Sequence, residues 1–469
     1  MPTSAASFPT SHSTTPYWRN EVKPIDEHRS TEGIPSYADL VIIGAGYAGA
    51  AIAHHLLERH SSHHDQSLPS IVILEAREAC SGATGRNGGH LKPDPFSRAA
   101  NVLKTHGKAV AEHVASFEAR QVQEVRAFVD YEEIDCDFEE VTVRDVCLYP
   151  AGRDKIEADL VALNEADIST ARSLEYSSDR EAEEISGVKG AKSCLTFNAA
   201  RLWPYRLVSH MLEKAVSRGI NLQTHTPVTS VRPTGEGSDV GLWAVNTSRG
   251  SIECSTVIYA TNAYTSALVP ELKDKIVPVR GTVARLLPAT DAPLLNDSYM
   301  MRFSEFEYDY MISRPDGSII VGGAKRDFYD ELNEWYDVCD DSRLMKGATQ
   351  YFDGYMQRHF SGWENCDVLT DQIWTGIMGY SNDGFPYVGP VNGKPGQYIC
   401  AGFTGHGMPQ IFLSAKAIAE MVITGVPAAE VDLPLPYHTS PERWSRQGIH
   451  GSLQQWQAVS ERAATRARL

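Results

Sequence analysis

Apolar positions first cluster at Ala38-Asp39-Leu40-Val41-Ile42-Ile43, a short run that ends on glycine. Such a run reads as a strand buried on both faces. A helix-like stretch follows from Tyr47 to Arg59, then a polar loop from His60 to Ser70. A second buried strand, Ile71-Val72-Ile73-Leu74, ends at Glu75. Within residues 102–128, Val110, Val114, Phe117, Val122, Val125 and Phe128 recur at helical spacings. Residues 153–166 set Ile156, Leu160 and Leu163 on one helical face, and Leu207 to Arg218 is a third helix stopped by Gly219.

From Asn221 to Thr261 the pattern turns to strands. Trp243–Thr247 and Ser251–Cys254 flank Arg249-Gly250 as a hairpin, and Thr256-Val257-Ile258-Tyr259-Ala260 is a buried strand. Residues 276–325 stay strand-like, with Pro315-Asp316-Gly317 turning between Tyr308–Ser313 and Ser318–Gly322. Residues 397–401 form a short strand, followed by a glycine-rich loop and a helix from Pro409 to about Ile423. Proline suits the first helical position because its missing N–H would be unpaired there. The remainder is polar, with a short helix near the end.

Composition narrows the function classes. The chain has 469 residues, with 60 Asp plus Glu against 43 Lys plus Arg, a net charge of −17. Nucleic acid and anionic membrane need clustered Lys and Arg, so neither is expected as a partner. No apolar run approaches the ~18 residues of a membrane span. Residues 1–16 lack charge and an apolar core, so no secretory signal is expected. The cysteines stand apart, without a C-x-x-C pair or zinc spacing, which predicts no metal and a reducing, intracellular compartment.

Gly44-Ala45-Gly46-Tyr47-Ala48-Gly49 is a G-x-G-x-x-G that follows a predicted strand and opens a predicted helix. Gly44 permits the tight turn, Gly46 lets a pyrophosphate approach, and Gly49 lets helix and strand pack closely. The helix N-terminus, from Tyr47 and Ala48, offers unpaired N–H groups to phosphates. Glu75 at the end of the second strand is placed to accept from ribose hydroxyls. Between Ala76 and His90 the chain is rich in small residues. Arg77, Ser81, Gly82, Thr84, Asn87, Gly88 and Gly89 form a loop that can lie along a large planar ligand, which favours FAD over NAD.

The stretches "ADLVIIGAGYAGA", "VILEAREACSGATGRNGGH", "PVTSV", "VIYATNAYT", "VPVRGT", "WTGIMGYSNDGFPYVGP" and "ICAGFTGHGMPQ" resemble, in this order, the D-amino-acid oxidase superfamily of FAD oxidoreductases. The likeness is strongest to the branch holding γ-glutamylputrescine oxidase, D-amino-acid dehydrogenase and sarcosine oxidase, as represented by fungal members. It implies an α/β fold of the glutathione-reductase type: a Rossmann-like FAD-binding domain with an interleaved antiparallel-sheet substrate domain. The expected division is a loose polar arm at 1–37, an FAD-binding domain from 38–92, 198–275 and 376–425, a substrate domain from 93–197 and 276–375, and a tail at 426–469.

The resemblance also assigns roles. Ala260, Thr261 and Asn262 would lie near the FAD phosphates and Val228 near adenine. Gly376, Asp383, Gly405, His406, Gly407 and Met408 would close over the flavin. Non-covalent FAD is expected, because Gly376 and Arg86 stand where relatives carry the cysteine or histidine that links it. The family oxidises a C–N bond to an imine by hydride transfer, so the expected partner is a small amine or amino acid acted on by a monomer. Relatives place an oxygen-activating lysine on the strand matching Ser318–Gly322, where none stands. Lys325 is close but out of register, so oxidase and dehydrogenase both stay open. Candidate catalytic residues are His90, Tyr310, Arg280 and His406, the last also readable as a structural loop histidine. Alternation puts Tyr308, Tyr310 and Ile312 on one face, with Arg314 beyond. A flavoenzyme acting on C–O or C–C bonds of a natural product and a non-catalytic flavin-binding protein are the alternatives. The terminal Ala467-Arg468-Leu469 resembles a peroxisomal address, set against a cytoplasmic default.

Overall fold

The computed structural model describes residues 8–61, 68–235 and 241–466. Part of the His60–Ser70 loop and the Ala467-Arg468-Leu469 tail therefore lie outside the described residues.

The apolar run Tyr37–Ile43 is a central strand of the first sheet. It pairs in parallel with Ile71–Leu74 on one side and Gly250–Tyr259 on the other. Gln397–Ala401 and Asn221–Gln223 extend the parallel set outward. Both faces are covered, which is why the run shows no alternation. Leu40, Ile42 and Ile73 pack into the core beneath helices Tyr47–Ser61, Pro204–Ser217 and Ile411–Thr424, while Val41, Ile43, Val72 and Leu74 face a second cluster with Val257 and Tyr259. Register puts Ile43 beside both Leu74 and Tyr259. Three strands thus end level, and Gly44, Glu75 and Ala260 follow at one rim. Ligands of open α/β sheets bind outside such carboxyl ends.

The second sheet runs in the order Val368–Ser381, Ile276–Pro288, Ile319–Gly323, Tyr308–Ser313, Ser298–Arg302, Glu139–Cys147, Ser193–Arg201 and His90–Leu91. It is antiparallel except where Ser298–Arg302 runs parallel to Glu139–Cys147. Strand Val368–Ser381 crosses the boundary expected at 376, and His90–Leu91 and the end of Ser193–Arg201 also belong to this sheet rather than the first. Among the described residues no helix is long and apolar enough to cross a membrane.

Four local expectations need correction. The polar arm is not loose: Tyr17 and Trp18 are buried, Trp203 Nε1 donates to the Trp18 carbonyl at 2.7 Å, and Thr14 N donates to the Asp341 carbonyl at 2.8 Å. Two aromatic side chains outweigh the polar composition around them. The helix expected over 102–128 is two helices, Ser97–His106 and Lys108–Tyr131, broken at Gly107 with φ 81°. The helix expected from Pro409 begins at Ile411, because Gln410 N and Ile411 N both turn back to the Gly407 carbonyl. The tail packs as well, with Leu433, Tyr437 and Trp444 buried and a closing helix at Gly451–Arg466.

Candidate active site

A cavity of about 510 Å³ opens at the rim where the three strands end and runs to the second sheet. At the rim the glycines have separate reasons to be there. A Cβ on Gly44, whose φ is +113°, would lie 2.7 Å from the Ala260 carbonyl oxygen, and one on Gly49 only 1.9 Å from the Gly44 oxygen. Those two are demanded by the protein's own packing. Gly46 is not: its Cβ would meet only the Thr84 hydroxyl, at 3.1 Å. Gly82 has nothing within 4 Å. Space kept clear by glycine, without a protein atom to require it, is space for a ligand.

The polar groups around that space agree. Thr84 Oγ1 accepts from Tyr47 N at 2.9 Å and so bridges the second loop to the helix N-terminus. The Glu75 carboxylate accepts from Ala45 N at 2.9 Å and Arg77 N at 3.0 Å, which fixes it at the strand end while leaving lone pairs on both oxygens. Ser81 Oγ is buried with no protein partner, an orphan donor on the cavity wall. Asn87 shapes the loop from within: its Nδ2 donates to the Thr84 carbonyl and its Oδ1 accepts from Gly89 N. Asn262 Oδ1 accepts from Gly402 N and Phe403 N, tying the third strand end to the C-terminal glycine loop. This donor set, a helix N-terminus beside a ribose-placed carboxylate and an orphan hydroxyl, fits a dinucleotide.

Of the residues expected to hold cofactor, all but Gly49, Gly89 and Asp383 line this one cavity, Ala76, Val228, Thr261, Gly376, Gly405, Gly407 and Met408 among them. Gly49 supports the rim from behind. Gly89, at φ +76°, is closed in by Ile312, the Leu202 carbonyl and Trp18. Asp383 is a correction: it pairs bidentately with Arg443, Oδ2 to Nε at 2.8 Å and Oδ1 to Nη2 at 2.9 Å, and anchors the tail instead.

The substrate end changes the catalytic candidates more. Tyr310 lies along the cavity, its ring over Gly88 and Gly322, where an added Cβ would fall within about 2.2 Å of it. Tyr308 lines the same cavity and Ile312 faces Gly89, as alternation requires. His90 stands edge-on to Tyr310 at 5.4 Å, its Nε2 buried without a partner. Burial pushes the His90 imidazole down to about 3, so it is neutral at working pH and no proton store. Arg280 is committed elsewhere: its guanidinium donates to the Glu334 carbonyl at 2.7 Å, the Asp340 carbonyl at 3.1 Å and Glu334 Oε2 at 2.6 Å. It lines the cavity but is held to the 334–340 segment by these bonds, which gives it a structural part in the wall. Arg314 sits outside the cavity against Trp18 and Trp203, paired with Asp137.

His406 borders the cavity but belongs to a buried network. Its Nε2 meets Glu118 Oε2 at 3.0 Å, and the same carboxylate accepts from Asp94 N, Gln410 Nε2 and Tyr437 OH. Burial pushes the Glu118 carboxyl up, but His406, Arg98 and the Asp94 amide outweigh it and hold it at about 2. His406 thus latches the glycine loop to helix Lys108–Tyr131, which is the structural role rather than the acid–base one. Arg77 and Arg86 converge on buried Asp341, at 2.9 Å and 3.5 Å, so the cofactor loop is bolted to the 341 segment beneath it.

Beyond the expected residues, Tyr329, Trp335 and Tyr380 line the cavity wall, and so does Lys325, which the sequence places only near the oxygen-activating position. The Lys325 Nζ lies 4.4 Å from the Tyr329 ring centre and, among the described residues, within 4 Å of no carboxylate. Burial pushes the lysine down to about 8. It leaves the sheet through Gly323 and Ala324, the latter left-handed at φ 60° and held by donation from its N to Asp309 Oδ1 at 3.0 Å. Tyr329, Trp335 and Tyr380 complete an aromatic wall. The pair Gly322-Gly323 before Lys325 was the signal available for this turn.

A nucleotide cradle at the switch point of a parallel sheet, facing an aromatic pocket on a second sheet, defines a flavin-dependent oxidoreductase architecture. A family profile described as FAD dependent oxidoreductase matches residues 39–421, and the chain belongs to that family. It is therefore an FAD-dependent oxidoreductase. It is 23% identical to gamma-glutamylputrescine oxidoreductase of Escherichia coli (strain K12) over 421 residues, covering 86% of this chain and 88% of that one. Glycine oxidase of Pseudomonas aeruginosa is 25% identical over 233 residues, 49% of this chain and 57% of its own. In structure, glycine oxidase from Geobacillus kaustophilus superposes with a TM-score of 0.69 at 17% identity, over 88% of this chain and all (100%) of that one. L-proline dehydrogenase from P. horikoshii gives 0.66 at 18% identity, over 86% and 98%.

Proposed function

We propose that the protein oxidises the C–N bond of an amine to an imine, with non-covalently held FAD in the rim cavity and the amine against the aromatic wall. FAD, when bound, accepts the hydride. The observation that carries this reading is the character of the wall around Tyr308, Tyr310, Tyr329, Trp335 and Tyr380: aromatic rings beside a neutral His90. Such a pocket disfavours an ammonium by desolvation and so binds the amine neutral, the form from which hydride can leave. Tyr308 and Tyr310 hold the chain of the substrate. No cysteine lines the cavity, and Arg86 is spent on Ser81, Thr375 and residues 13–14, which supports non-covalent attachment.

Oxidase chemistry is the finer reading. At neutral pH Lys325 carries a positive charge that Glu307 offsets only from beyond ion-pair distance, and such a charge stabilises the anion formed as oxygen takes up electrons. The deciding experiment is anaerobic bleaching of the flavin by a panel of amines, amino acids and hydroxy acids, followed by air. Bleaching by amines and rapid return of colour is expected. Bleaching by hydroxy acids alone would overturn the reading. Lys325→Met should keep anaerobic bleaching yet slow reoxidation by on the order of tenfold or more. In the unaltered protein, reoxidation should fall as pH rises through about 8, the value at which Lys325 loses its proton.

A further inference from the structure

The closing helix Gly451–Arg466 lies over the substrate end of the cavity, and Ser452 and Gln455 from its first turns are part of the lining. Its start is pressed against the end of strand Val368–Ser381. Gly451 N donates to Asn382 Oδ1 at 2.9 Å, and a Cβ on Gly451 would come within 2.8 Å of the Asn382 carbonyl oxygen. The buried His450 sets the angle of entry. Its Nδ1 accepts from Ser452 N at 3.2 Å, which makes Nε2 the donor, and Nε2 meets the Tyr380 carbonyl at 3.1 Å.

One turn further, Trp456 Nε1 donates to the Tyr329 carbonyl at 3.0 Å. The same carbonyl takes Trp335 Nε1, also at 3.0 Å. Two indoles therefore occupy both lone pairs of one oxygen. The Tyr329 ring stacks on Trp335 at 5.0 Å and lies beneath the Lys325 ammonium. Trp456 and Val459 also pack against the second sheet's apolar core. The helix is thus built into two cavity walls.

The geometry points to this helix as the outer wall of the substrate pocket and its specificity element: the favoured amine bears an uncharged hydrogen-bonding group, an amide or hydroxyl, on a chain that leads from the reacting carbon to Ser452 and Gln455. Two observations select that chemistry. The groups the helix offers are a hydroxyl and an amide, both neutral. A second ammonium at the far end would share the cavity with the like charge of Lys325, which among the described residues has no carboxylate within 4 Å and is offset by Glu307 only from further away. Trp456 acts as a positioning residue, holding Tyr329 and through it the lysine.

The inference rests on the reading of the cavity as an amine-oxidising site, and the test separates the two. Anaerobic flavin reduction is followed with primary amines of one length that end in amide, hydroxyl, methyl or ammonium. In the unaltered holoenzyme the amide and hydroxyl ends should be favoured over methyl by roughly three- to tenfold in kcat/KM, and ammonium should rank last. Ser452→Ala with Gln455→Leu should abolish that preference, bringing kcat/KM for the amide- and hydroxyl-ended amines down to or below that of the methyl-ended one at full flavin content. Calorimetric binding of an amide-ended alcohol of equal length, which carries no amine to oxidise, should weaken in parallel. Trp456→Phe should raise KM across the whole series and move the pH limb near 8 assigned to Lys325, at full flavin content. A preference unchanged in the double variant, or a first rank for methyl or ammonium in the unaltered enzyme, overturns the inference. Reduction by no amine at all overturns instead the functional reading beneath it, and shows in the unaltered protein before any variant is compared.

Discussion

Replacing Gly46 by valine separates what the cofactor needs from what the fold needs. At this position φ is ordinary, and a Cβ would touch only the Thr84 hydroxyl at 3.1 Å, a group that can rotate. The apo protein should therefore fold. The two γ-carbons, however, would project over the N-terminus of helix Tyr47–Ser61, where a pyrophosphate must come close to the backbone. Overpacking of this kind costs about 1–3 kcal/mol or more, and at 1.4 kcal/mol per tenfold the upper value lowers FAD affinity by about a hundredfold. Gly49→Ala is the contrast. Its Cβ would sit 1.9 Å from the Gly44 oxygen where ordinary contact begins at 3.4 Å, so helix and strand must part by about 1.5 Å. That atom is backbone and cannot swing away, so the loss, about 3 kcal/mol, falls on the fold itself. The assay is calorimetric titration of each apo protein with FAD, beside thermal unfolding with and without it. Apo Gly46→Val should melt with the unaltered apo protein, which alone gains stability from FAD, about 2.7 kcal/mol at a hundred times its Kd. Apo Gly49→Ala should melt lower. The reasoning is refuted if Gly46→Val binds FAD within tenfold of normal, or if its apo form melts as low as that of Gly49→Ala.

The remaining predictions probe the scaffold around the cavity. The Glu118 carboxyl is held at about 2 against an ordinary 4.5, so its contribution is complete above pH 4.5 and is lost as pH falls toward 2. The loss amounts to about 3 kcal/mol, and denaturant titrations between about pH 6 and about pH 3 should show Glu118→Gln without this part of the acid limb. Asp383→Asn should leave flavin content unchanged and lower stability by about 1–3 kcal/mol, because it breaks the Arg443 pair rather than a cofactor contact. Trp18→Ala should cost about 3–5 kcal/mol on unfolding and also weaken FAD binding, since the Trp18 indole donates to the Asn87 carbonyl in the cofactor loop. Unchanged flavin retention in that variant would show that the N-terminal segment only packs and does not brace the loop.

What the chain disclosed in one dimension follows from how local each determinant is. Gly44 to Gly49, Glu75 and the Ala76–His90 loop are contiguous stretches whose residue types are dictated by a turn, a strand end and a backbone that must pass near a ligand. The parallel strands were visible for the same reason, as apolar runs too short for helices. The N-terminal arm misled because polarity was averaged over it, whereas Tyr17 and Trp18 alone decide its place by filling the space against Trp203. Asp383 lies off the cavity, and Arg280 and His406 line it with polar atoms already engaged. A side chain's residue type says what it can bind, but not which of its donors are already taken, and the partners here lie far away in sequence: Glu334, Arg443 and Glu118. Lys325 is the converse. It stands in a stretch without periodicity, held by short turns and buried aromatics, and its chemical interest comes from burial against Tyr329 with Glu307 too far to pair with it. How far a counter-charge stands is a property of the folded surface alone. The same holds for the Tyr329 carbonyl, where Trp335 and Trp456 meet across 121 residues of chain (456 − 335) to put the C-terminal helix against the substrate. In this enzyme the cofactor half is written in motifs and the substrate half in long-range hydrogen bonds, so relatives that share the first can differ freely in the second.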